Sequence, residues 1–214
     1  MIEFDSATHT YTVDGKIMPS VSDIIAPLSD FSDISPATLE YAAARGTAVH
    51  SACEQLDYGI DIEDIEELDP ETAPYVQAYI AWKRDFQVEV LHSEYKVYSD
   101  FYEVCGTLDR VVEFGSDHTP WIVDLKTTAT FNYSNALKWH QQLWLYDELL
   151  SEQEGKEVGT FRFAILQLKK DGSYRFVNDC DLFDAIRKKY PGYSPYGTMH
   201  NLLEIYNTKK GRTV

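Results

Sequence analysis

The stretch "WIVDLKTT", residues 121–128, has the apolar character of a buried β-strand, but two charged residues interrupt it. Successive side chains of a strand point to opposite faces of its sheet. Asp124 and Lys126 therefore share one face, and Val123 and Leu125 point to the other. Because charged residues are rarely buried unless they are paired, this strand is unusual.

Composition predicts one large domain. The chain has 214 residues, 44% of them hydrophobic, which suits one core better than two small ones. The sequence shows no N-terminal signal region, and no apolar run approaches the roughly 20 residues that span a bilayer. We expect a single domain over residues 1–214, in a soluble, cytoplasmic protein without membrane contact. The three widely spaced cysteines (Cys53, Cys105 and Cys180) indicate neither a disulfide framework nor a zinc site.

The net charge of -16 disfavours a nucleic-acid partner at first reading, because nucleic acids bind basic surfaces. The charge is uneven, however. Residues 1–107 hold 21 acids and 5 bases, residues 108–214 hold 14 of each, and the run 57–71 alone holds 8 acids and no base. That run is typical of a solvated loop and helix start. The second half can still offer phosphates a locally basic face, with these candidates: Lys138, Lys169, Lys170, Arg187, Lys188 and Lys189.

The pattern along the chain predicts helices before and after a set of strands. A hairpin with an Asp14-Gly15 turn is expected in 3–21, followed by helices over 35–59 and 69–87. Ser35 and Pro36 are expected to open the first helix, Gly46 is a candidate break in it, and an Asp-Pro pair is expected to open the second. Strands are expected over 88–99, 102–114 and 120–128, then a helix over 135–150. Two strands (160–170 and 173–179) and two helices (181–190 and around 199–206) complete the chain. A sheet with helices packed on it, of α/β or α+β type, follows from this order.

The strand that contains "GTLDRVVEF" supplies a second acid. If it pairs antiparallel with "WIVDLKTT", Asp109 and Asp124 meet on one face beside Lys126. Two adjacent carboxylates repel each other unless a cation lies between them. Carboxylates, a backbone carbonyl and water are the ligands of Mg²⁺ or Mn²⁺, so a divalent metal resolves the conflict.

The first long helix can add an imidazole to this site. His50 and Glu54 lie four residues apart and thus on one helix face. Imidazole is a good ligand for Mn²⁺-like ions and a poor one for Mg²⁺, so His50 favours manganese. A single histidine is more often a hydrogen-bonded structural residue, and the combination with the two acids is what carries the hypothesis.

Four segments in this order resemble the PD-(D/E)XK nuclease superfamily, and specifically its RecB-like exonuclease branch in phage-encoded proteins. "GTAVHSACE" is similar to the histidine helix of that branch, "GTLDRV" to its first acidic strand, "DLKTT" to its Asp-x-Lys strand, and "QLWLY" to its Gln-x-x-x-Tyr helix. The proline that names the superfamily is absent, because Leu108 precedes Asp109. The resemblance implies an α/β fold: a central mixed sheet flanked by helices, a restriction-endonuclease-like core. We expect the hairpin and lead-in in 1–34, the catalytic core in 35–178 and C-terminal helices in 179–214.

The resemblance also assigns roles to individual residues. The implied metal ligands are His50, Asp109, Asp124 and the main-chain carbonyl of Leu125, with Lys126 as the catalytic lysine beside Asp109 and Asp124. Gln142 and Tyr146 match the helical motif and are expected to position the metal site or the nucleic acid; the neighbouring Gln141 has the wrong spacing to Tyr146. Glu94 and Glu54 rank lower, as residues that support the ligands.

The implied function is a Mg²⁺- or Mn²⁺-dependent deoxyribonuclease, an exonuclease of phage recombination or repair. Its partners would be linear duplex or single-stranded DNA ends and, by analogy, a single-strand annealing protein. No iron-sulfur cluster is expected, because the three cysteines do not fit one. Two other classes stay open: a catalytically inactive nuclease fold that serves as an interaction module, and an acidic DNA-mimic protein.

Overall fold

The computed structural model of the chain describes residues 2–5, 8, 10–30, 32–64 and 68–211. Its strands are β1 (Ile2–Asp5), β2 (Thr10–Val13), β3 (Lys16–Met18), β4 (Val88–Ser99), β5 (Val104–Phe114), β6 (Asp117–Lys126), β7 (Arg162–Leu168) and β8 (Tyr174–Asn178). Its α-helices are α1 (Val21–Ile25), α2 (Pro36–Asp57), α3 (Ala73–Phe86), α4 (Tyr133–Glu154), α5 (Asp179–Lys189) and α6 (Pro195–Lys209). Short 3₁₀ turns cover Ala26–Leu28 and Ile62–Asp64.

The central sheet is mixed, as the sequence predicted. Its five strands follow the chain order β4-β5-β6-β7-β8, and every pair is antiparallel except β6 and β7. A parallel pair needs a crossover connection, and α4, which follows β6 and precedes β7 in the chain, supplies it. The antiparallel β5–β6 pair sets Arg110 opposite Val123, which brings Asp109 and Asp124 next to each other. The pairing that the sequence analysis required is thus confirmed.

The N-terminal hairpin belongs to a separate three-stranded sheet. Strands β2 and β3 form the predicted hairpin, and its turn at Asp14 and Gly15 has left-handed backbone conformations with φ of 47° and 81°. Strand β1 adds a third strand on the other side of β2, which the sequence analysis did not predict. Tyr11 connects this small sheet to the central one, because its hydroxyl lies 2.9 Å from the hydroxyl of Thr107 in β5.

Helix α2 begins as predicted and continues through the predicted break. The Ser35 hydroxyl accepts a hydrogen bond from the Thr38 N–H, and Pro36 occupies the first turn. Gly46 does not interrupt the helix, so that prediction was wrong. An interior glycine costs a helix only about 1 kcal/mol, and 22 residues of continuous helix tolerate it. A Cβ at Gly46 would lie 3.8 Å from Thr127, so the glycine leaves room beside the end of β6.

Helix α3 starts later than predicted. The Asp69-Pro70 pair precedes the helix, which begins at Ala73 with Pro74 in its first turn. The Asp69 carboxylate instead accepts hydrogen bonds from the N–H groups of Glu71 and Thr72, which makes it the first residue of a turn. The acidic run 57–71 therefore contains the end of α2, a 3₁₀ turn and this turn, and its residues 65–67 lie outside the described residues.

Helices cover both faces of the central sheet. One face of the sheet presents Val111, Ile122 and Ile165. Helix α4 packs on this face through Leu143 and Leu149, and α1 and parts of α5 and α6 pack there as well. On the other face α2 and α3 supply Val49, Tyr79 and Trp82 against Val112, Val123 and Leu125. Val123 and Leu125 are thus buried opposite the face of Asp124 and Lys126, as alternation predicted. None of the described helices is long and apolar enough to cross a membrane.

Candidate active site

The predicted site residues gather at one cleft beside the C-terminal end of β6. The cleft has a volume of about 610 Å³. Six of the residues that line it come from α2, β4, β5, β6 and α4: His50, Glu94, Asp109, Asp124, Lys126 and Gln142. Residues up to 92 positions apart in the sequence thus reach one space, which only the central sheet and its crossover helix make possible.

Three side chains in this cleft form a group that could hold a metal ion. One ligand atom each of His50, Glu94 and Asp109 lies within 4.8 Å of the others. His50 Nδ1 is 3.5 Å from Glu94 Oε1 and 3.6 Å from Asp109 Oδ1. The other imidazole nitrogen, Nε2, is 3.2 Å from the Leu125 carbonyl oxygen. An imidazole and two carboxylates are a donor set that fits Mn²⁺ or a similar divalent ion, whereas the Leu125 carbonyl lies at the imidazole nitrogen that faces away from the two carboxylates.

His50 is the cation of this group in the metal-free protein. Burial opposes protonation of its imidazole, but Asp109 and Glu94 outweigh that effect and raise the His50 pKa to about 9. The imidazolium therefore neutralises part of the charge of the two acids at neutral pH. A protonated imidazole nitrogen cannot bind a metal, so metal binding here requires His50 to lose its proton.

The backbone of β6 fixes the orientation of Asp109. Its Oδ2 accepts a 2.6 Å hydrogen bond from the Leu125 N–H, and this leaves Oδ1 facing His50. Glu94 reaches the same group from β4 because its backbone is unusual. It has a left-handed φ of 47°, close to an irregularity in the β4–β5 pairing between Val90 and His92. Such a conformation is rare for a residue with a side chain and is often found at functional sites.

Asp124 has a different environment from Asp109. Its side chain is buried, and Lys126 Nζ lies 2.5 Å from its Oδ2. Burial raises the Asp124 pKa to about 6, although Lys126 opposes the shift. Asp124 faces the same cleft as the three-residue group but does not belong to it. Glu94 takes that place, which the sequence analysis had ranked lower.

Two residues of the helical motif in α4 support this site, one by contact with Lys126 and the other by contact with the backbone of β5. Gln142 Oε1 accepts a 3.2 Å hydrogen bond from Lys126 Nζ, so the glutamine fixes the lysine on its strand. Tyr146, one turn later, is buried and donates a 2.7 Å hydrogen bond to the Thr107 carbonyl of β5. Gly106 makes room for the tyrosine, because a Cβ there would lie 2.9 Å from its ring. A glycine within a strand can admit a neighbouring backbone, but at Gly106 it admits the Tyr146 side chain.

Glu54, predicted as a supporting residue, lies at the cleft, whereas Gln141, rejected for its spacing to Tyr146, lies outside it. Glu54 lines the cleft one helical turn after His50, and burial, with the nearby Glu94, raises its pKa. Gln141 points away from the cleft: it is fully buried and accepts a hydrogen bond from the Tyr193 hydroxyl. The spacing argument against Gln141 therefore agrees with its position.

A second groove of about 740 Å³ continues from the cleft and shares Lys126, Thr127 and Gln142 with it. Arg45 and Lys138 are further basic residues of this groove, and Trp139 adds an aromatic ring. Arg45 Nη2 donates to the Thr127 carbonyl, and its guanidinium lies over the Tyr41 and Tyr75 rings. The other predicted phosphate contacts line neither space: Lys169, Lys170, Arg187, Lys188 and Lys189.

Arg110 was not predicted as a residue of this site, yet it is fully buried and donates a 3.0 Å hydrogen bond to Glu94 Oε1. The sequence did contain a signal. Arg110 lies two positions from Leu108 and from Val112, so by strand alternation it is the one charged residue among apolar neighbours on that face. A base at such a position indicates a buried partner, but the sequence does not name the partner.

Comparison with known proteins agrees with this geometry. The family model of the PD-(D/E)XK nuclease superfamily matches residues 65–193, more than half of the chain. This range includes Glu94, Asp109, Asp124 and Lys126, and His50 precedes it. The α/β fold, with its five-stranded mixed sheet between helices, is consistent with the nuclease fold of that superfamily. The chain belongs to the PD-(D/E)XK nuclease superfamily.

Other comparisons add little. A search of curated proteins found no match. Among solved structures, the chain is similar to the crystal structure of SSO0001, with 12% sequence identity and a TM-score of 0.34. The aligned region covers 63% of this chain and 56% of that one.

Proposed function

We propose that this protein is a metal-dependent deoxyribonuclease of the RecB-like branch, which degrades DNA from its ends in phage recombination or repair. The observation that carries the proposal is the meeting of a metal-binding group with a lysine in one cleft. His50, Glu94 and Asp109 supply the ligand atoms, and Lys126 projects into the same cleft from β6.

The residues of the cleft fit a divalent ion with oxygen and nitrogen ligands. His50, Glu94 and Asp109 would hold it, with the Leu125 carbonyl and Asp124 close to the same space. When bound, such an ion lowers the pKa of a water molecule and stabilises charge on a phosphate. We propose Mn²⁺ as the preferred ion and Mg²⁺ as an alternative, because an imidazole donor favours manganese.

Lys126 is the proposed catalytic residue among the chain's own groups. Asp124 and Gln142 hold its ammonium from two sides, so its position is fixed before substrate binds. From there the ammonium would orient the attacking water and donate a hydrogen bond to the scissile phosphate, whose oxygens gain charge as the reaction proceeds. Tyr146 keeps α4 against β5 and thereby keeps Gln142 at the lysine.

The groove beyond Lys126 is the proposed path of the DNA. Arg45 and Lys138 would contact phosphates along this groove. The excess of acid in residues 1–107 predicts few such contacts and therefore a shallow dependence of binding on salt. Lys138→Ala should weaken binding to DNA oligonucleotides, and Lys170→Ala, which removes a lysine outside the groove, is the matched control. Equal effects of the two substitutions would contradict this path.

A nuclease assay tests the function directly. End-labelled linear DNA and a covalently closed circle of the same sequence are incubated with the protein and Mn²⁺, with EDTA and the Asp109→Asn variant as controls. The proposal predicts cleavage of linear DNA alone, abolished by EDTA and by the substitution. Cleavage of the circle would identify an endonuclease. Binding without cleavage would identify an inactive nuclease fold, and neither binding nor cleavage would favour an acidic DNA mimic. The proposed annealing partner would then be sought by its effect on the rate of digestion.

A further inference from the structure

Arg110 connects the candidate metal site to a buried charge network on the other face of the sheet. Its side chain has no exposed surface. Its Nε lies 2.5 Å from Asp57 Oδ2 and donates to the Tyr79 hydroxyl at 3.2 Å. Its Nη1 donates to Glu94 Oε1 at 3.0 Å and to the Asp109 main-chain carbonyl at 2.7 Å. One guanidinium therefore links α2 and α3 to two of the three residues that could hold a metal.

Asp57 is a rigid anchor for this guanidinium. It is the last residue of α2, and only 2% of its side chain is exposed. Its carboxylate also accepts hydrogen bonds from Tyr79 at 2.8 and 2.9 Å, from Lys83 at 2.7 Å and from Ser93 at 3.2 Å. So many donors from α3 and β4 leave the carboxylate little freedom to move.

Glu94 needs such support more than its neighbours do. Its left-handed backbone persists only if the surroundings hold it, and Arg110 supplies a charge-assisted hydrogen bond to the same oxygen that faces His50. Burial opposes ionisation of Glu94, yet His50 and Arg110 together lower its pKa. Without Arg110 the carboxylate would lose its hydrogen bond to a fully buried guanidinium and keep only the His50 contact within the described part of the chain.

Fold stability alone does not account for this arginine. Buried ion pairs are often no more stabilising than apolar residues of similar volume. Arg110 Nη2 is also buried without a hydrogen-bond partner among the residues that the structure describes, which costs stability. Asp57 would keep a cation without Arg110, because Lys83 contacts it. Because burying Arg110 in this way costs stability, its presence indicates a role at the candidate metal site beside it.

We propose that Arg110 is a positioning residue, anchored by Asp57, which holds the Glu94 carboxylate and the Asp109 backbone in the geometry that binds the divalent metal. The inference rests on the metal site of the proposed function and adds a role to residues that contact neither metal nor DNA.

Arg110→Lys tests the proposal, because lysine keeps the charge but cannot bridge Asp57 and Glu94 with a planar fork. Calorimetric titration with Mn²⁺ should show affinity weaker by about tenfold or more, the usual effect of losing a residue that orients a ligand. Thermal melts in EDTA report whether the variant is folded. If it does not fold, Asp57→Asn loosens the anchor while leaving the arginine in place, and should also weaken Mn²⁺ binding.

Lys83→Met is the matched control. It removes another cation from Asp57, but Tyr79 and Ser93 still hold that carboxylate and Arg110 keeps its contacts with Asp57 and Glu94. It should lower the melting temperature in EDTA and leave Mn²⁺ affinity unchanged. If Lys83→Met weakens Mn²⁺ binding as much as Arg110→Lys does, the effect belongs to general stability and the proposal is overturned.

A double-mutant cycle then asks whether Arg110 acts through Glu94. Once Glu94→Gln is present, Arg110→Lys should reduce Mn²⁺ affinity much less than it does in the wild type. Additive losses would overturn the proposal. The wild type separates this inference from the proposed function: if it neither binds Mn²⁺ nor cleaves DNA, both fail, whereas if it does both and Arg110→Lys binds Mn²⁺ normally, the inference alone fails.

Discussion

Asp109 and Asp124 lie side by side on neighbouring strands, yet different cations face them. Asp109 shares His50 with Glu94, and the imidazolium can give up its proton. Asp124 is paired with Lys126, whose ammonium donates hydrogen bonds but cannot bind a metal while protonated. We propose that the first arrangement exchanges a proton for a metal ion and that the second supplies a cation that stabilises charge on the substrate. Metal binding and charge stabilisation would then belong to different aspartates of one cleft.

The largest expected effect is that of Asp109→Asn, which removes the charge of a proposed metal ligand and of one of the two carboxylates that face His50. Nuclease activity in Mn²⁺ should fall by about 1,000-fold, the upper end of what one removed electrostatic group costs. The rise in melting temperature that Mn²⁺ causes should also disappear. A variant that retains this thermal shift would show that the metal binds elsewhere, and the comparison between the two aspartates would fail.

Lys126→Ala should separate catalysis from metal binding. Activity should fall by about 100-fold or more, because the cation beside the scissile phosphate is lost. The Mn²⁺-dependent thermal shift should persist, since lysine is not a ligand. Asp124→Asn sharpens the comparison: a shift as large as that of the wild type would exclude Asp124 as a ligand, and a smaller shift would add it to the three-residue group. Full activity of Lys126→Ala would contradict its catalytic role.

Metal preference follows from the imidazole. Activity should be several-fold higher in Mn²⁺ than in Mg²⁺ at saturating concentrations, and Ca²⁺ should support DNA binding without turnover. His50→Gln, which replaces the nitrogen ligand by an amide oxygen, should reduce the ratio of Mn²⁺ to Mg²⁺ activity. An unchanged ratio would argue against His50 as a ligand.

The smallest expected effect concerns the stability of the metal-free protein. In the folded protein the His50 pKa is raised from its ordinary value of 6.5 to about 9, because Asp109 and Glu94 outweigh the effect of burial. The resulting stabilisation is complete below pH 6.5 and is lost as the pH rises to about 9. Melts in EDTA should show a fall of at least about 2 °C over this window, which corresponds to roughly 1 kcal/mol in a domain of this size. His50→Gln should remove that part of the pH dependence; an unchanged slope would mean that another group titrates.

The contrast between the two aspartates also shows how far sequence reasoning reached. Alternation placed Asp124 with Lys126 and opposite Leu125, and antiparallel pairing placed Asp109 beside them; both are local rules that the structure confirms. Glu94 was ranked below the other site residues because a glutamate at a strand edge is usually solvated, whereas in the structure its left-handed backbone accompanies a carboxylate that lies beside His50 and Asp109.

The remaining differences have different physical causes. Arg110 and Asp57 are 53 positions apart, and no local pattern connects a strand residue to the end of an earlier helix. Strand β1, which pairs with β2, has only four residues, too few for a clear alternation of apolar and polar side chains. Helix α2 continues through Gly46 because the rest of the helix outweighs one unfavourable residue. A long-range contact, a short strand and the length of a helix explain these three features, whereas the spacing of residues in the sequence was enough to predict the motifs.

Calorimetric titration with Mn²⁺ near neutral pH, repeated in buffers with different ionisation enthalpies, tests the central claim most directly. If His50, Glu94 and Asp109 hold the ion, binding should release about one proton, because the His50 imidazolium must deprotonate to become a ligand. His50→Gln should bind more weakly and release none. Tight Mn²⁺ binding without proton release, or release that persists in His50→Gln, would contradict the assignment of the metal to this group.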